Sequence, residues 1–261
     1  MKKLIYIALV LLGGQLAFSQ NRAQTISDSL TPEPSAEKYK PFNFNLQIKN
    51  MHLWRGYRVT DAPMTAGDVN YTSKNGKFKA GLWGGSGFNG DYHEFDYYVS
   101  YATGGWSLAV WDINNYSDYP DAEIFNYDIG KTSHFVDVTL AYQFKQVPLK
   151  LSWSTIVLGR DTYTTEDGEL KNAFSNYVEV SYVLTQKENW NLGAFVGGVF
   201  AFANDVDDSN FYGDKSSLNN IGLVYNRDLN ILDKVTIPVS ATAMWNPLQK
   251  YGAMQVAVNL F

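Results

Sequence analysis

The chain has 261 residues, no cysteine, a formal net charge of -5 and a sequence pI near 5.2. That acidic balance argues against nucleic acid as a partner, and the missing thiols exclude a disulfide framework, thiolate metal sites and a thiol nucleophile. Aromatic residues reach 15% and charged residues only 18%, which suits strands and not long solvated helices, while a mean hydropathy of -0.24 is too polar for a bundle of membrane helices.

Residues 1–19 read as a signal peptide. Lys2 and Lys3 form a basic start, Leu4 to Leu12 an apolar run, and Ala17 and Ser19 the small residues before a cut, placed just ahead of Gln20. Residues 20–40 are rich in Ser, Thr and Pro and lack periodicity, as in a flexible tail. The barrel is expected over residues 41–261.

From Phe42 onward the period is two. Phe42, Phe44, Leu46 and Ile48 alternate with Asn43, Asn45, Gln47 and Lys49, as in a strand with one greasy and one wet face. Phe95, Tyr97, Val99 and Tyr101 repeat the pattern, as do Val136, Val138, Leu140 and Tyr142, and Val178, Val180, Tyr182 and Leu184. In the segment from Val235 to Ala243, Pro238 falls on the wet face and predicts a bulge. Turn punctuation divides the chain into about twelve strands of roughly nine to twelve residues, the length that a tilted strand needs to cross a bilayer.

The connections are sorted. Ser73–Gly76, Thr103–Gly105, Lys145–Pro148, Gln186–Asn189 and Asp228–Leu232 are short, whereas Ser117–Gly130, Arg160–Lys171 and Asn204–Lys215 are long. Short turns on one rim and long loops on the other are expected of an all-β, transmembrane, antiparallel up-and-down β-barrel in the outer membrane of a Gram-negative bacterium. Both chain ends then lie on the short-turn, periplasmic side. Met254, Val256, Val258 and Leu260 alternate up to the terminal Phe261, which resembles the sorting signal read by the barrel-assembly machinery, although Phe261 is out of phase with Leu260.

The run NMHLWRGYRVTDAPMTAGDVNY from Asn50, then KFKAGLWGGSGF and HEFDYYVSYA, resembles the Gcw_chp family, also described as TorF-type porins. The matching positions are Trp54, Arg55 and Gly56; Pro63; Gly81 and Trp83; and Glu94, Asp96 and Tyr98. The resemblance covers about sixty residues and implies an outer-membrane barrel of porin type, without a settled substrate and without a reaction.

Arg55, Glu94 and Asp96 are the leading candidates for a constriction, since a guanidinium and carboxylates facing each other across a pore order water and select permeants; a structural ion pair filling the interior is the alternative. Asp112, Asp137 and Glu179 are expected in the lumen, favouring cations or neutral polar solutes over anions. Inward Gly197, Gly222, Ser240 and Ala257 are expected to leave room for water, and Trp54, Trp106, Trp190, Trp245 and Tyr251 to form interfacial girdles.

No catalytic constellation emerges. His134 follows Ser133, but neighbours on a strand face opposite ways, and no G-x-S-x-G elbow occurs. His52 and His93 read as strand-end histidines. The acidic stretch Asp205 to Asn210 departs from a calcium loop, with Asn210 where Gly belongs and Ser216 where Glu belongs, so no metal and no cofactor is expected. The expected function is a porin-like barrel for small polar solutes or ions, with outer-membrane lipid and lipopolysaccharide as neighbours. A non-conducting structural or binding barrel and a lipid-modifying enzyme are the alternatives.

Overall fold

A computed structural model describes residues 39–119, 121, 123–232 and 234–260. The signal peptide, all of the tail except Tyr39 and Lys40, and Phe261 lie outside them. Twelve strands close into one antiparallel barrel: β1 (Phe42–Lys49), β4 (Met64–Thr72), β5 (Phe78–Gly87), β6 (His93–Thr103), β7 (Trp106–Asn114), β8 (His134–Gln143), β9 (Leu149–Gly159), β12 (Ser175–Gln186), β13 (Trp190–Ala201), β14 (Ser217–Ile231), β15 (Val235–Asn246) and β16 (Tyr251–Asn259). Two hairpins interrupt the meander: β2 (His52–Trp54) with β3 (Tyr57–Thr60), and β10 (Thr162–Thr164) with β11 (Leu170–Asn172). The seam closes between β1 and β16, where Gln47 faces Asn259 and Lys49 faces Ala257.

Alternation decides which face each residue takes. Leu82, Val99, Val180 and Leu223 point out and are each nearly half exposed. Asp68, Asp96, Asp137, Ser154 and Ser181 sit one position out of phase with that surface and are buried within. An apolar surface wrapping the whole wall around a polar interior is the inverse of a water-soluble barrel. Aromatic rings cluster outside the short-turn rim, with Phe42 against Tyr71, Trp106 against Tyr142 and Trp190 against Tyr225.

The loop sorting holds, with one correction: Asp228–Ile231 is not a turn but the end of β14, paired with β15 as far as Ile231↔Val235. Gly104 and Gly105 alone join β6 to β7, both at positive φ, and the other short turns share that rim. The connections from β1 to β4, β7 to β8, β9 to β12 and β13 to β14 share the opposite rim. Pro238 does not make a bulge: β14 and β15 pair without a shift from Ile221↔Trp245 to Ile231↔Val235. Proline is tolerated there because β15 pairs with β16 only from Val239 onward, so the Pro238 position has no neighbour on that side to donate to.

Inward glycines are occupied space, not water. A Cβ on Gly197 would stand 2.3 Å from the Tyr177 hydroxyl, one on Gly81 2.7 Å from that of Tyr98, and one on Gly222 2.5 Å from the Phe195 ring. Each aromatic ring lies over the glycine of the next strand, which substitutes ring contact for a missing side chain. Gly197→Val should therefore displace Tyr177 and cost about 1–3 kcal/mol in urea unfolding, whereas Gly67→Ala, whose new methyl would meet nothing nearer than 4.0 Å, should stay within about 0.5 kcal/mol.

Candidate functional site

The connection between β1 and β4 does not project away from the barrel. It turns into the lumen as the β2–β3 hairpin, with Arg55 and Gly56 at its tip, φ 46° and 84°. Gly56 is required twice: its backbone is left-handed, and a Cβ there would stand 2.3 Å from the Asn219 carbonyl of β14. The wall satisfies the carbonyls that the tip exposes. Asn219 Nδ2 donates to the Arg55 carbonyl at 2.7 Å, while Asn246 Nδ2 at 3.0 Å and the Tyr251 hydroxyl at 2.7 Å donate to the Gly56 carbonyl. Gln255 on β16 accepts the Leu53 N–H at 2.9 Å.

The Arg55 side chain crosses to the far wall. Its two terminal nitrogens donate to Asp137 on β8 at 2.6 and 2.8 Å, a bidentate pair with 15% and 1% side-chain exposure. The same nitrogens also donate to the Tyr212 hydroxyl at 2.9 Å and Thr139 Oγ1 at 3.0 Å. The guanidinium lies over Trp54 with its centre 4.6 Å from the ring centroid. A planar fork matched to a carboxylate and stacked on an indole is the geometry that arginine, unlike lysine, supplies. Trp54 also packs against Phe135 and Tyr212, closing the outer part of the lumen with Phe211.

Below the hairpin a cavity of about 600 Å³ reaches the short-turn end. It is lined at the mouth by Asn43, Asn259, Lys79 and Lys150 and roofed by Trp54 and Arg55. Asp68 in its wall accepts the Tyr98 hydroxyl at 2.9 Å and is also bonded by Asn70. Glu179 accepts the Tyr177 hydroxyl at 2.5 Å.

The expected constellation forms only in part. Arg55, Asp137 and Glu179 face this lumen, but Arg55 pairs with Asp137 and not with Glu94 or Asp96. Glu94 accepts from Asn115 Nδ2 at 3.0 Å and Asp96 from the Asn114 N–H at 3.1 Å, so both tie β6 to the end of β7. Asp112 is a correction. It faces outward, opposite Tyr97 and Val136, and binds His134 Nδ1 at 2.8 Å and Tyr127 from the β7–β8 loop. Trp111 and Ile113 take the inward positions because the hairpin needs apolar support there. Trp54 and Tyr251 are likewise inside, on the hairpin and bonded to it, while Trp106, Trp190 and Trp245 lie on the outer surface. Sequence reasoning missed Tyr212, Asn219 and Asn246, whose partners lie more than 150 residues away.

The histidines are all held by neighbours. His52 stacks on Trp83, His93 on Tyr116 with Ser86 Oγ at 3.2 Å, and His134 is fully buried. His134 Nε2 meets no hydrogen-bond partner among the described residues, so no hydroxyl stands ready for it to activate. In the acidic loop the carboxylates bond their own chain: Asp208 accepts from Ser216 Oγ and N–H, and the Ser209 side chain and N–H hold Asp207 below the usual carboxylate range. Among the described residues no group of three or more His, Cys, Asp and Glu is arranged to hold a metal.

No family model matches the chain, and no curated protein matches it; the likeness stands on the matching positions from Trp54 to Tyr98 alone. Among solved structures, a NanC porin aligns over 83% of this chain and 98% of its own, at 8% identity and a TM-score of 0.48. A triple mutant of the Rhodopseudomonas blastica porin aligns over 75% of this chain and 54% of its own, at 11% identity and a TM-score of 0.36.

Arg55→Ala leaves Asp137 buried without its cation and should cost about 3–5 kcal/mol. Adding Asp137→Ala should recover part of that loss, and a double-mutant cycle by urea unfolding should return a coupling on the order of 1–3 kcal/mol.

Proposed function

We propose that the chain is an outer-membrane barrel of porin type, passing small polar solutes or ions, with the β2–β3 hairpin as its constriction. The observation that carries this is the pairing of an apolar outer surface, on which Asp112 is shielded by His134 and Tyr127, with a polar cavity that ends at the Trp54–Arg55–Gly56 tip. An apolar belt with aromatic rings at its short-turn edge belongs in lipid. Short turns then face the periplasm and long loops the exterior, next to lipopolysaccharide, after export by a cleaved leader and insertion by the barrel-assembly machinery. The Gcw_chp-type residues gain a physical role in this reading. Trp54 stacks, Arg55 latches to Asp137, and Gly56 fits where no other residue does.

Because the hairpin is held at both backbone and side chain, conduction requires it to shift or solutes to pass beside it. In planar bilayers the protein should give discrete current steps, and Arg55→Ala should raise the unit conductance or the open fraction several-fold. The packed outer half, with Phe135, Ile156 and Tyr212 buried, favours one second reading, a filled binding barrel. Silence of both proteins after verified insertion would establish that reading and end the porin proposal. Membrane placement has its own check. Leu82→Arg, on the outer face of β5, should cost about 2–4 kcal/mol in lipid vesicles if that site lies near the midplane, and no loss there would count against the belt.

A further inference from the structure

We infer that the vestibule below the hairpin selects small polar solutes carrying a fixed negative charge, taken up at the short-turn mouth; this rests on the porin reading above. Lys79 and Lys150 are the second residues of β5 and β9, so both stand at that mouth, and both line the cavity. Neither is within ion-pair distance of a carboxylate among the described residues. The acids of the cavity wall are engaged elsewhere. Asp137 is held by Arg55, Asp68 by Tyr98 and Asn70, and Glu179 by Tyr177. On the neighbouring strands Glu179 stands two residues along from Ser181, which faces Lys150, and Asp68 four along from Thr72, which faces Lys79, and each acid is beyond ion-pair distance of its lysine. A carboxylate whose oxygens already accept hydrogen bonds from the wall offers less to a solute than a lysine ammonium with donors to spare.

The rims repeat the asymmetry. The short turns carry Lys74, Lys77, Lys145, Lys187 and Lys234 against Glu188 and, in sequence, Asp233, whereas the six connections of the other rim carry fourteen Asp and Glu against seven Lys and Arg. Asp228 on β14 is one carboxylate that shares the basic mouth, outside the cavity lining. At about 0.1 M salt the screening length is about 10 Å, so a solute at the mouth meets the nearby lysines and little of the distant acidic loops. A basic mouth with dry walls focuses that field and raises the local concentration of anions.

The test is the reversal potential of the reconstituted full chain in a KCl gradient below about 0.1 M, followed by citrate added on the short-turn side as a carboxylate probe. Wild type should favour chloride over potassium about threefold or more, and millimolar citrate should reduce the potassium chloride current from that side. Lys79→Glu with Lys150→Glu should bring the preference to unity or invert it and abolish the citrate effect, its own current steps proving that it folds and inserts. A conducting wild type that prefers potassium would overturn the selectivity and leave the porin reading intact. Chloride preference unchanged in the double variant would overturn the assignment to these lysines. Chloride preference without any citrate effect would overturn uptake of carboxylate solutes at this mouth. Absence of current in wild type and Arg55→Ala alike would remove the porin reading and this inference with it.

Discussion

An open sheet leaves a row of unpaired amides and carbonyls along each edge, and a sheet satisfies every backbone group only by closing on itself. Everything else in this barrel follows from that closure. Once the twelve strands form a circle, each residue has two destinations, outer face or lumen, and the alternation from Phe42 to Leu260 assigns them one by one. The same rule explains how Pro238 is tolerated, at a position of β15 that β16 does not reach.

Closure also creates a problem. A twelve-stranded circle encloses more space than its own inward side chains fill, and the interior must hold the polar residues that the apolar outer face excludes. Two devices meet this here. Tyr98, Tyr177 and Phe195 lie across glycines of the neighbouring strands, which thickens the wall, and the β2–β3 hairpin fills the outer half. The hairpin brings a buried guanidinium with it, which is costly unless matched. Asp137, Thr139, Tyr212 and Trp54 supply the match, and wall amides cap the carbonyls of the tip. Arg55 is held in a left-handed conformation in which most residues are strained, and these contacts are what keep it there.

How much of this was legible in sequence follows from range. The strands and their faces were legible because the period of two is local, and the loop sorting because turn residues mark it. Trp54, Arg55 and Gly56 stood out as a unit, but as the end of a strand and not as the tip of a hairpin, because the partners that fold it inward, Asp137 and Asn219, are 82 and 164 residues away. Asp112 was misplaced for another reason. Polarity predicts the face of a strand only while the inside is wet, and where the hairpin packs, the inward positions Trp111 and Ile113 are apolar. Outside, Asp112 is shielded by His134 and Tyr127, so a carboxylate survives on the greasy face. Girdle residues failed the same way, since Trp54 and Tyr251 are aromatic because they bind the hairpin.

Counting lumen charges therefore says little about what a solute meets. Arg55 and Asp137 cancel within 2.6 Å, and Glu94 and Asp96 are bound to Asn115 and the Asn114 N–H at the end of β7. Phenol and amide donors occupy Asp68 and Glu179. What remains presented to the vestibule is set by hydrogen bonding and not by composition. A chain with an acidic total thus keeps a basic mouth, because its surplus carboxylates sit in the long loops of the opposite rim and those of its cavity wall already have partners.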